Sequence, residues 1–231
     1  MSAIRGARER ARTEVTAAIK EEARRQLARE GAAKLSLRAV ARELGMVSSA
    51  LYRYFPSRDE LLTALIVDAY DALGAAAEAA LAKADGQEPV ERWSAVCQAV
   101  REWALAHPHE YALIYGSPVP GYSAPQTTVV PASRVGLALL AIVGDAHAAG
   151  TLRVPGDAGV PEAVRGDVRA LAGTLGIELP DAALARFIAA WAQLFGLVSF
   201  ELFGQFKGVV EAREEFFGQA VATLGRTVGL L

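Results

Sequence analysis

The sequence predicts an all-α protein. Apolar residues recur at three- and four-residue spacing along most of the 231 residues, and no stretch shows the period of two that a half-buried strand needs. The apolar share is rich in Ala and Leu, both strong helix formers. With 52% hydrophobic and 22% charged residues, the chain can bury a core and is too apolar for a disordered one. No internal repeat is visible.

Residues 13–30 read as a first helix, with Val15, Ala18, Ile19, Ala23 and Leu27 at helical spacing and Gly31 ending it. Ser36 is a good N-cap for a short second helix, in which Leu37, Val40, Ala41 and Leu44 form one stripe. Gly45 supplies a left-handed stop. A third helix fits residues 48–55, capped by Ser48, with Leu51 and Phe55 one turn apart and Pro56 breaking it. Ser57 caps a proline-free helical run over residues 58–84.

Beyond it, residues 90–106 place Trp93, Val96, Cys97, Val100, Trp103 and Ala104 on one helical face, and a shorter helix fits residues 109–115. Residues 116–131 hold four prolines and two glycines, which predicts a surface loop. Helices follow at about residues 132–149, 162–175, 181–206 and 209–230.

Charge divides the chain. Residues 1–58 carry 13 Lys and Arg against 6 Asp and Glu, whereas residues 59–231 carry 11 against 20. A basic head on an acidic body suggests a polyanion partner for the head, although a solvated charged face gives the same count.

A helix, a tight glycine turn and a second short helix, here residues 36–55, are the parts of a helix-turn-helix, whose second helix enters the DNA major groove. With Leu51 inward and about 100° per residue, Ser49 and Arg53 point away from the core and Ala50 and Tyr52 sit on the flanks. Such a surface suits base edges, thymine methyls and phosphates. Arg38 and Arg42 lie one turn apart, opposite the apolar stripe of the preceding helix.

The stretch Leu35-Ser-Leu-Arg-Ala-Val-Ala-Arg-Glu-Leu-Gly45, followed by Ser48-Ser-Ala-Leu-Tyr-Arg-Tyr-Phe-Pro-Ser-Arg-Asp-Glu-Leu-Leu62, closely resembles the DNA-binding head of the TetR-like (tetracycline-repressor) family. The resemblance covers about residues 13–65. It implies that Arg38 and the edge formed by Ser48, Ser49 and Ala50 read bases. It also implies that Ser36, Tyr52 and Tyr54 contact phosphates and that Arg58 anchors the DNA backbone. Arg53 joins the base-reading face on geometry alone. Arg5, Arg8, Arg10 and Arg12 are either an arm over the duplex or a disordered tail. In the body, Trp103, His107-Pro108, Tyr111 and Gly116-x-Pro118 resemble the Trp-His-Gly signature of one subgroup.

The expected organisation is a helix-turn-helix DNA-binding domain over residues 1–58 and a helical ligand-binding and dimerisation domain over residues 59–231. The helix over residues 181–206 is apolar on two faces, so both must be buried. The resemblance implies that it pairs with the final helix in a homodimer, with Ala189, Gly196, Phe200, Phe203, Phe217 and Leu224 at the interface, the alternative being an intrachain core. A mostly apolar effector pocket with a polar anchor is expected, with Trp103, His107, Tyr111, Tyr115, Trp191, Phe195 and Glu201 as candidates, each of which fits ordinary packing better than a ligand contact. Residues 116–131 are a candidate lid.

The predicted function is a transcriptional regulator, a repressor, that binds double-stranded operator DNA and is released by a small apolar or amphipathic effector. In the alternative, the body binds a protein partner. No catalytic residues, metal ligands or cofactor are expected: His107 and His109 straddle a proline, Asp145 and His147 do not share a helix face, and neither pair is completed into a ligand set. Cys97 reads as a small core residue. The charged N-terminus lacks a signal-peptide core, Glu201 interrupts the apolar stretch at residues 187–206, and prolines interrupt residues 111–133. A cytoplasmic, nucleoid-associated protein with no membrane partner is the expectation.

Overall fold

The computed structural model describes residues 2–154 and 159–231, and side chains from residue 6 onward. Among these residues there are ten α-helices and no strand. They are α1 (Ser2–Glu30), α2 (Leu37–Glu43), α3 (Ser48–Leu51), α4 (Arg58–Lys83) and α5 (Pro89–Ala106), then α6 (Pro108–Tyr115), α7 (Val129–Ala148), α8 (Glu162–Leu175), α9 (Asp181–Leu202) and α10 (Arg213–Val228).

Helix boundaries depart from expectation where local signals were weak. The first helix starts at Ser2 rather than residue 13, so Arg8, Arg10 and Arg12 ride on a regular exposed helix and not on a disordered tail. The side chain of Arg5 lies outside the described residues. The third helix is regular only over Ser48–Leu51, and its N-cap is Val47, with no side-chain cap. From Tyr52 onward the chain tightens into three-residue turns, Arg53 N–H donating to Ala50 O at 3.3 Å and Tyr54 N–H to Leu51 O at 2.8 Å, before Pro56. Helix α7 begins at Val129, inside the expected loop, because Pro131 falls in its first turn, where no intrahelical donor is lost.

The chain forms two compact units. The first holds residues 1–71 and 107–131, the second residues 72–106 and 132–231. The chain therefore crosses between units within α4, after α5 and early in α7, a different division from a functional cut at residue 58.

The core of the first unit joins Ile19, Ala23 and Leu27 of α1, Leu37, Val40 and Ala41 of α2, Leu51 and Phe55 around α3, and Leu61, Leu62 and Leu65 of α4. In the second unit α10 packs on α5 and α9, and α8 on α9. Trp93 is fully buried there, donates from Nε1 to Val221 O at 3.1 Å, and meets the Phe187 ring edge-on at 6.3 Å. Helices α5 and α10 approach closely at Gly225, where a Cβ would come within 3.1 Å of the Trp93 ring. Cys97 is fully buried, and burial pushes its thiol well above the usual range.

Residues 126–148 and Asp181–Leu202 are, by length and composition, apolar enough to cross a membrane, with mean hydropathies of 1.6 and 1.5. The sequence expectation covered residues 187–206 and 111–133 and did not single out 126–148. Helix α7 starts after most of the loop prolines, and Glu201 falls only at the end of α9. In the fold, α9 is packed by α5, α8 and α10.

Candidate nucleic-acid interface

The reading surface begins at the N-terminus of α2. The Ser36 side chain accepts from Ala39 N–H at 3.4 Å, and its own N–H donates to Gln26 Oε1 of α1 at 3.1 Å. That N-cap fixes where α2 starts, and Gln26, itself buried, fixes it to α1. With Leu37, Val40 and Ala41 buried, Arg38 and Arg42 are exposed on the opposite face. Gly45 then adopts φ 64°, a conformation that strains any residue with a Cβ, and turns the chain into α3.

On α3, Leu51 is fully buried and Ser49 exposed, and Tyr52 and Arg53, in the turns that follow, are exposed as well. Ser48, Ala50 and Tyr54 are half-buried at the margin. A shallow groove lined by Ser36, Arg38, Tyr52 and Ser57 joins this surface to the start of α4. Arg12 places its guanidinium 5.8 Å from the centre of the Tyr54 ring, so α1 contributes a cation beside α3.

Arg58 points elsewhere than the sequence suggested. Its Nε donates to Leu35 O at 3.2 Å, and its Nη2 donates to Ala32 O at 2.9 Å and Ala33 O at 3.1 Å. It thus braces the turn ahead of α2 from inside the head. Val47 was missed entirely: its side chain is 70% exposed, an isolated apolar group beside Ser48 and Ser49. The signal was its place in the turn, where an apolar residue has no core to enter.

The match to known proteins decides the family. Residues 19–65 match the description "bacterial regulatory proteins, tetR family", and residues 93–224 match "tetracyclin repressor-like, C-terminal domain". The HTH-type transcriptional regulator Rv1816 of Mycobacterium tuberculosis is 42% identical over 206 residues, 87% of this chain and 86% of that protein. The chain belongs to the TetR family of bacterial transcriptional regulators.

The solved structure of the regulatory protein SCO4313 is similar along the whole length, with a TM-score of 0.76 and 38% identity over 94% of this chain and 97% of that one. RolR, solved with resorcinol, shares the fold, with a TM-score of 0.53 and 15% identity over 95% of each chain. Neither matched description names a Trp-His-Gly subgroup.

The body residues singled out in this TetR-family regulator fall in both units. In the first unit His107 is the exposed N-cap of α6, its carbonyl accepting from Tyr111 N–H at 2.9 Å. Tyr111 is fully buried, and its ring lies 5.1 Å from that of Tyr115, which meets Tyr70 edge-on at 5.9 Å. Burial pushes the hydroxyls of Tyr115 and Tyr70 above the usual phenol range. In the second unit Trp103 is buried, and Trp191 and Phe195 form an edge-on pair at 5.7 Å. Glu201 is held by Arg101 through two 2.7 Å hydrogen bonds, so its carboxylate is already engaged.

Of the interface candidates, Ala189, Phe200 and Phe203 are exposed and Gly196 half-buried, whereas Phe217 and Leu224 lie inside the unit. An open apolar groove runs between α9 and α10, lined by Gly196, Leu197, Phe200, Phe206, Phe216 and Ala220. Periodicity alone missed Phe206 and Phe216, whose rings chain together with Phe200 at 5.8 and 5.5 Å.

Proposed function

We propose that this TetR-family regulator is a repressor that binds a palindromic operator as a homodimer and releases it when a small apolar or amphipathic molecule occupies its body. The observation that carries this reading is the outward face of residues 36–54, where Arg38, Arg42, Ser49, Tyr52 and Arg53 stand exposed on a head held by a continuous apolar core. Arg38 and the edge of Ser48, Ser49 and Ala50 read bases, and Val47 meets a thymine methyl, the one apolar group on a major-groove edge. Ser36, Tyr52 and Tyr54 hold phosphates, with Arg53 turned toward the DNA. Arg58 acts by bracing the head, and residues 1–58 are the functional DNA-binding domain.

Dimerisation is supported by the α9/α10 groove. Phe200 is 52% exposed and Phe203 44%, a concentration of apolar surface that a second copy would cover. Gly196, Phe200 and Phe203 belong to that face, joined by Leu197, Phe206, Phe216 and Ala220, while Phe217 and Leu224 support it from within. For the effector, the aromatic pair Trp191 and Phe195 offers an apolar wall, and the resorcinol bound by RolR illustrates what this fold accommodates in one neighbour.

The test is titration of a labelled duplex selected by the protein, with Arg38→Ala alongside. Affinity falls steeply with salt, because cationic contacts to phosphates release counterions. Arg38→Ala loses about 1–3 kcal/mol of discrimination at one base pair. Salt-independent binding, or unchanged discrimination, contradicts the assignment.

A further inference from the structure

Residues 107–131 leave the second unit after α5, pack with the head, and re-enter the second unit in α7. Two anchors lie on α6. Glu110 Oε2 stands 3.8 Å from Arg24 Nε of α1, and Arg24 and Lys20 together clasp Asp68 of α4 at 2.8 Å each. The Tyr70, Tyr111 and Tyr115 rings pack together, with the Tyr70 hydroxyl donating to Ile114 O at 3.4 Å.

The third anchor lies beyond α6, in the proline-rich loop. Pro118, Pro120, Gly121 and residues 123–127 are exposed, but Val119 and Tyr122 turn inward against the core shared by α1 to α4. A turn presents them, closed by Tyr122 N–H donating to Val119 O at 3.1 Å with Gly121 at φ 76°. The Tyr122 hydroxyl is hydrogen-bonded to Thr63 Oγ1 of α4 at 2.9 Å. The loop expected to be a pocket lid is therefore docked on the head.

We infer that residues 116–128 are a strap that positions the DNA-reading helices, with Thr63 and Tyr122 as its positioning residues. The inference rests on the reading of the head as a DNA reader. Thr63 sits between Leu62 and Leu65, two buried members of the head core, on the helix whose first residue, Arg58, braces the turn before α2. A constraint at Thr63 is thus passed to the start of α2 through one short run of helix and one guanidinium. At its other end the strap finishes at buried Thr128, whose hydroxyl donates to Pro125 O at 2.9 Å, and the chain runs directly into α7. Through α7 the strap is a further covalent route, besides α4 and the α5–α6 link, by which a change in the second unit reaches the reading surface.

Three single variants of the full chain, with the double variant that combines Thr63→Val and Tyr122→Phe, separate positioning from plain packing. Thr63→Val keeps the shape and removes the hydroxyl, Thr63→Ser keeps the hydroxyl and trims the packing, and Tyr122→Phe removes the other partner. In the DNA-free protein, hydrogen exchange of the α2 and α3 amides is expected to accelerate about three- to tenfold in Thr63→Val and Tyr122→Phe, the range one lost hydrogen bond allows. Thr63→Ser should exchange like the parent protein, and the double variant should be no worse than either single one. Well below the melting temperature, Thr63→Val and Tyr122→Phe should weaken binding of a duplex selected by the parent protein by a similar factor, with Thr63→Ser unaffected. If Thr63→Val and Tyr122→Phe exchange and bind like the parent, or if Thr63→Ser loses as much as Thr63→Val, the strap is only packing and the inference is overturned. If the exchange pattern holds while the parent selects no duplex, the coupling stands and the DNA-reading assignment falls.

Discussion

Arg101 and Glu201 bring opposite charges into a poorly solvated place between α5 and α9, their side chains only 9% and 8% exposed. Both guanidinium–carboxylate hydrogen bonds are 2.7 Å, and the guanidinium also stands 5.4 Å from the Phe217 ring centre. The hydrogen bonds to Glu201 hold the Arg101 cation more firmly protonated than usual, against the opposing effect of burial. Removing one partner strands the other charge, so Glu201→Ala should lower the unfolding free energy by about 3–5 kcal/mol. Replacing both, as Arg101→Met with Glu201→Leu, should recover most of that loss. Chemical denaturation of the three variants measures it, and a near-neutral Glu201→Ala would show that water reaches the pair. Glu201 was visible in the sequence as a charge in an apolar stripe, and the same observation suggested a ligand anchor. Its partner, 100 residues earlier in the chain, was not visible, because no local rule links two helices that distant.

Elements with strong punctuation were legible. Ser36, Gly45 and Pro56 bounded the helix-turn-helix, and α8 spans Glu162–Leu175 as its periodicity indicates. Where signals were weak or competed, the reading failed. Nothing before residue 13 marked a helix, yet α1 begins at Ser2. The prolines of residues 116–131 correctly signalled a loop but could not say what it covers, since docking through Val119 and Tyr122 is a tertiary fact. On α9 the double apolar character was plain, and the structure separates its faces: Phe187, Leu194 and Val198 are buried while Phe200, and Phe203 just past the helix end, are exposed. If the exposed face is the dimer interface, Gly196→Asp with Phe200→Asp should give a folded monomer, because unpaired charges in an apolar contact are strongly disfavoured. Sedimentation at micromolar concentration with circular dichroism checks this. A dimer that survives the double substitution places the interface elsewhere.

Across the whole molecule, the charge division now has a structural meaning. Arg38, Arg42 and Arg53 of the basic segment 1–58 stand exposed on the reading surface, and the acidic excess lies in residues 59–231, a division that would favour approach of a polyanion to the head. The chain passes between its two compact units three times, through α4, after α5 and into α7, so ligand occupancy of the body and DNA occupancy of the head need not be independent. Any such coupling is reciprocal: an effector that weakens operator binding must itself bind more weakly to the DNA complex by the same factor, typically about 5–150-fold. Titrating one effector with and without operator would show unequal factors if the two effects arose separately.

The most direct test of the central claim is selection of bound duplexes from a random pool by the full-length protein. The account predicts enrichment of a palindrome whose half-sites lie about one helical turn apart, about 34–36 Å, or a multiple of that spacing. Arg38→Ala should relax the preference at one symmetric pair of positions and Val47→Ser at a thymine. Enrichment of no sequence, or of a site without two-fold symmetry, would contradict it.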